Sequence, residues 1–124
     1  MGYLMTQEIN AKQLIFNRIL AEKKHLASYG VKNIGLFGSF VRGDQSPSSD
    51  IDLLVEFIPD MHTFDNFMEV AFLLEKVLGR KVELVTPEAL SPYIGPHILR
   101  EVERVPITGT AFLSLSKTQI NTFT

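Results

Sequence analysis

At 124 residues the chain has room for one domain with a real core, and too little for two ordinary domains. Its 45% apolar and 21% charged residues are those of a folded chain, which excludes a mainly disordered one. A net charge of −2 without a Lys/Arg run makes direct nucleic-acid binding a poor expectation, and the lack of cysteine removes disulfides, thiolate nucleophiles and cysteine-type zinc sites.

Taken in order, the chain opens without the basic and apolar regions of a signal peptide, and no apolar run approaches the roughly 20 residues of a membrane helix. A cytoplasmic, membrane-free protein is expected. From a cap at Thr6, apolar residues at Ile9, Leu14, Ile15, Ile19, Leu20 and Leu26 predict one amphipathic helix that stops at Gly30. Val31 to Phe37 reads as a strand. Ser39 is placed to cap a short helical turn through Arg42, and 43–49 is a loop by composition.

A second strand is expected from Asp50 to Phe57. Thr63 then caps a helix whose apolar positions Phe64, Phe67, Met68, Ala71, Phe72, Leu74 and Leu78 run to Gly79, with its aromatic residues expected in the core. Lys81 to Val85 reads as a third strand, and 93–104 contains the last helix. This order predicts an α/β (α+β) domain around a small mixed β-sheet flanked by helices, spanning residues 1–107. The Thr- and Ser-rich segment 108–124 differs in composition and is read as a tail of undetermined order.

The chemistry concentrates between residues 38 and 52. A strand rises about 3.3 Å per residue and alternates faces, so Asp50 and Asp52 project from one side roughly 6.6 Å apart. Two such carboxylates suit a hard cation that keeps places open for substrate phosphates. Glu83 joins them if its strand is a neighbour, and three acids then make a two-metal arrangement or two ligands and a base. Gly38 lets a backbone approach a phosphate, Ser39 offers a hydroxyl and an N–H, and Arg42 offers a charged contact. Asp44-Gln45 stand where a P-loop would carry Lys and Ser/Thr after Gly43, so that loop type is excluded. Of the three histidines, only His62, after the acid-bearing strand, is placed near this site.

Gly38-Ser39, ten intervening residues and Asp50-Ile51-Asp52, with Arg42-Gly43 inside and Ser49 before the first acid, resemble the signature of the minimal nucleotidyltransferases of the DNA polymerase beta superfamily. The resemblance runs from about Val31 through Leu84. It implies the polymerase beta-like nucleotidyltransferase fold and transfer of AMP from ATP to a hydroxyl, with Mg²⁺ as cofactor and pyrophosphate leaving. By position it makes Asp50 and Asp52 metal ligands and catalytic residues, and places Gly38, Ser39 and Gly43 at the nucleotide, with Arg42 supporting that turn or its phosphates. Glu83 stands where the family commonly has Asp, as ligand or base.

Small members of this family often pair with a HEPN-domain toxin, so the resemblance also implies an antitoxin that modifies a partner tyrosine within a hetero-complex. Two alternatives stay open: an antitoxin that neutralises its partner by binding alone, and a transferase with a small-molecule acceptor.

Overall fold

In the computed structural model, which describes residues 11–108, four strands form one mixed sheet. The expected cap at Thr6, Ile9 and the segment 109–124 lie outside the described residues.

The first amphipathic stretch forms two helices, α1 (Ala11–Ala21) and α2 (Lys23–Ser28), broken at Glu22. Ile15, Ile19 and Leu26 are buried, whereas Leu14 and Leu20 lie on the outward side, 43% and 39% exposed. Strand β1 (Val31–Phe37) follows, then a single helical turn, α3 (Ser39–Arg42), and strand β2 (Ile51–Phe57).

Helix α4 (Phe64–Leu78) begins and ends where its sequence signals place it. The Thr63 hydroxyl accepts from Asn66 N–H at 3.1 Å, satisfying one of the donors that a helix start leaves unpaired, and Gly79 closes the helix at φ +66°. Its core stripe is Val70, Leu74 and Leu78, with Phe67 and Val77 packed beside it. Contrary to the sequence expectation, Phe64 and Phe72 point outward, 76% and 61% exposed. With Met68 they form a stripe of helical spacing, but the stripe that meets the sheet runs through Val70.

Strand β3 (Val82–Val85), helix α5 (Gly95–Glu101) and strand β4 (Glu103–Pro106) complete the order. The sheet runs β3-β2-β1-β4, antiparallel except for the β2–β3 pair. The last helix falls within 93–104 as expected, whereas strand β4 was absent from the sequence reading. Glu-Arg-Val-Pro shows little apolar alternation and includes a proline, which is tolerated because β4 pairs only with β1 at the sheet edge.

One face of the sheet, with Ile34 and Leu36 of β1 and Ile51, Leu53 and Val55 of β2, packs on Ile19, Val70 and Leu74 in the main core. Fully burying a side chain of this size stabilises the fold by about 1.5–3 kcal/mol. The opposite face carries the acids at one end. Farther along it, Leu54 is buried, and Gly35 lies against the Val102 side chain, so a β-carbon at 35 would collide with it. The acidic face is therefore covered midway along β2 and open near its start.

Candidate active site

The parallel β2–β3 pairing sets the register Ile51 to Val82, Asp52 to Glu83 and Leu53 to Leu84. At the start of β2, Ile51 N–H donates to the Lys81 carbonyl at 2.9 Å, while the Glu75 carboxylate of α4 accepts from Val82 N–H at 3.0 Å and ties β3 to the helix. Paired residues on adjacent strands share a face, so Asp52 and Glu83 stand side by side. Asp50 precedes the strand by one residue and sits two positions from Asp52.

Burial, followed by the charges of Glu83 and Asp50, pushes the Asp52 carboxyl above the ordinary carboxylate range, while Arg42 acts the other way. These acids thus sense one another's charge. Among the described residues no three acidic or histidine side chains are drawn tightly around one point. Such an open set fits a magnesium ion, which uses one or two protein carboxylates and completes its shell with substrate phosphates and water.

The glycine turn abuts this acid pair. Gly38 adopts φ +79°, and a β-carbon there would run into the Asp52 carboxylate, so only glycine fits. Gly38 rather than Ser39 occupies the cap position of α3, and Ser39 is its first helical residue. The half-buried Ser39 hydroxyl is thereby left unused by capping. Gly43 ends the turn at φ +82°, with its N–H on the Ser39 carbonyl at 2.8 Å. Arg42 reaches back to Glu101, 3.2 Å from each carboxylate oxygen, and also to Asp44 at 3.4 Å. These acceptors raise the Arg42 pKa, and the guanidinium stays charged.

The structure thus brings Asp50, Asp52, Glu83, Gly38 and Ser39 to one end of the sheet, with Arg42 and Gly43 finishing the turn. His62 belongs elsewhere. It stacks on Phe57 at the far end of β2, with ring centroids 5.1 Å apart, because the seven-residue strand carries the chain away from the acids. His97 is the histidine nearby, lining a cleft of about 350 Å³ with Phe37, Gly38, Arg42 and Glu101.

Two residues at the site were given no role by the sequence reading, although Glu101 closes a stretch, Ile98-Leu99-Arg100-Glu101, that shares in the resemblance. Glu101, on α5, accepts from Gly38 N–H at 2.6 Å. Arg80 donates to the carbonyls of Ser49 and Ser46 at 2.9 Å and of Pro47 at 2.6 Å, and its guanidinium lies 5.2 Å from the centre of the Phe40 ring. Each acts on residues more than 30 positions away.

Known proteins resemble this chain in sequence and fold. The protein adenylyltransferase MntA of Thermococcus cleftensis is 41% identical over 85 residues, 68% of this chain and 85% of that one. A solved structure provisionally described as a minimal nucleotidyltransferase superposes with a TM-score of 0.64 at 30% identity, over 77% of this chain and 96% of its own. A toxin–antitoxin structure with AMP-PNP superposes at 0.58 with 25% identity, over 86% of this chain and 85% of its own. The sequence model described as nucleotidyltransferase domain matches residues 16–105, from α1 into β4, and the chain belongs to that family of enzymes.

Proposed function

We propose that this chain is a protein adenylyltransferase and antitoxin: it transfers AMP from Mg²⁺-bound ATP to a hydroxyl, a tyrosine, of a HEPN-type toxin. The observation that carries the reading is the register of Asp52 with Glu83, with Asp50 two residues before and Gly38 pressed against Asp52. The 41% identity to a protein adenylyltransferase and the likeness to a toxin–antitoxin structure with AMP-PNP support the substrate and the class of partner.

In the reaction, the acceptor oxygen attacks the α-phosphorus, the bond from that phosphorus to the bridging oxygen breaks, and pyrophosphate leaves. Asp50 and Asp52 would hold the magnesium, which when bound supplies the positive charge that adjacent carboxylates and a triphosphate both require. Ser39 offers its hydroxyl and N–H to the phosphates. Glu83 lies on the exposed side of the acid pair, where it can take the proton from the attacking hydroxyl.

The test is incubation with labelled ATP, Mg²⁺ and a HEPN-type partner, followed by mass analysis of both polypeptides. The expected result is a gain of AMP on a partner tyrosine, abolished by Asp50→Asn. Neutralisation of the partner that survives both ATP removal and Asp50→Asn would establish binding alone and overturn the proposal.

A further inference from the structure

We propose that Glu101 is a positioning residue of the nucleotide site, holding the Gly38 backbone and Arg42 so that the turn is shaped before a triphosphate arrives. The inference rests on the adenylyltransferase reading and adds to it a residue from outside the glycine–acid motif.

Gly38 is gripped from two sides. Its α-carbon lies against the Asp52 carboxylate, and its N–H donates to Glu101 at 2.6 Å. A hydrogen bond to an ionised acceptor is among the stronger kinds. The same carboxylate receives Arg42 Nη1 at 3.2 Å on both oxygens, so one side chain clasps the first residue of the turn and the last residue of α3. It is also the better sheltered partner, 26% exposed against 52% for Arg42.

The chemistry gives the clasp a use. Gly38 at φ +79° sits where the chain leaves β1, and an unpinned glycine samples both signs of φ freely. A turn that wandered would carry Ser39 away from the acids. With Gly38 N–H and Arg42 both committed to Glu101, the donors left for phosphate in this turn begin at Ser39. Arg42 then acts by holding the loop, and its charge offsets that of Glu101 beside an incoming anion. Glu101 closes α5, which makes the last helix part of the site although the motif ends at Asp52.

The test compares wild type, Glu101→Ala and Glu101→Gln by equilibrium titration with Mg-ATP, with thermal midpoints recorded and the Gly38 amide followed by NMR. The Ala variant is expected to bind ATP about tenfold more weakly, as loss of a charge-assisted bond implies. The Gln variant keeps an acceptor for Gly38 N–H and recovers a substantial part of that loss. In the Ala variant the Gly38 amide also moves upfield from its hydrogen-bonded position.

Unchanged or tighter ATP binding by a folded Ala variant overturns the inference, since tighter binding means that Glu101 was blocking the phosphate. If Ala does not fold, unchanged or tighter ATP binding by a folded Glu101→Leu variant, which likewise offers Gly38 N–H no acceptor, overturns it. Wild-type protein that binds no ATP overturns the adenylyltransferase reading and this inference together.

Discussion

Asp52 stands in register with Glu83 across the parallel strands β2 and β3, a pairing that places two negative charges side by side on the open end of one sheet face. Two adjacent carboxylates without a cation repel, and such an arrangement is retained where it serves chemistry. Glu83→Gln is expected to lower AMP transfer about a hundredfold or more while leaving the fold intact, as measured by single-turnover transfer to the partner.

Asp52→Asn should separate activity from stability. Burial, Glu83 and Asp50 raise the folded-state pKa of Asp52 above its unfolded value. Its contribution to stability is therefore fully present at pH below the unfolded carboxylate value and is lost as pH rises through the folded one. Asn keeps the shape without the charge, so the thermal midpoint of the variant should exceed that of wild type at about pH 7 and converge on it toward about pH 4. AMP transfer should vanish in the same protein. An equal difference at both pH values would contradict the electrostatic account.

Gly38→Ala combines two penalties. The left-handed backbone disfavours a side chain by about 1–3 kcal/mol, and the new methyl group meets the Asp52 carboxylate directly. Both ATP affinity and thermal midpoint should fall. Gly43→Ala, where nothing stands within 4 Å, should show only the backbone penalty.

Thr63→Ala serves as a control far from the acids. Loss of the bond to Asn66 N–H should lower stability by about 1 kcal/mol in denaturant unfolding, with transfer unchanged once the protein is folded.

Much of this was legible in the chain because the signals were local. The ends of α4 were readable from Thr63 and Gly79, and the strand that carries Asp52 was readable too, although it starts one residue after Asp50. Glu83 was readable only as a conditional, since strand adjacency is a tertiary fact, and the parallel register met the condition. Phe64 and Phe72 misled because helical spacing alone does not say which stripe turns inward. His62 misled because nearness in sequence was taken for nearness across a seven-residue strand. Strand β4 carries its reason in its partner β1, and Glu101 and Arg80 act over separations no window of sequence contains.

Arg80 grips the loop before Asp50 through three main-chain carbonyls, those of Ser46, Pro47 and Ser49. Every amino acid presents that same carbonyl. The path into the first acid is thus set in part by a reader that is blind to side-chain identity, and in part by the hydroxyls of Ser46 and Ser49, which accept from N–H groups of the loop itself. Replacing the serines would remove the loop's internal bonds but leave the Arg80 grip, whereas a change at Arg80 would release all three carbonyls. Loop-grafting experiments should find this segment intolerant of a change in length, and tolerant of new sequence only where the serine hydroxyl bonds are kept.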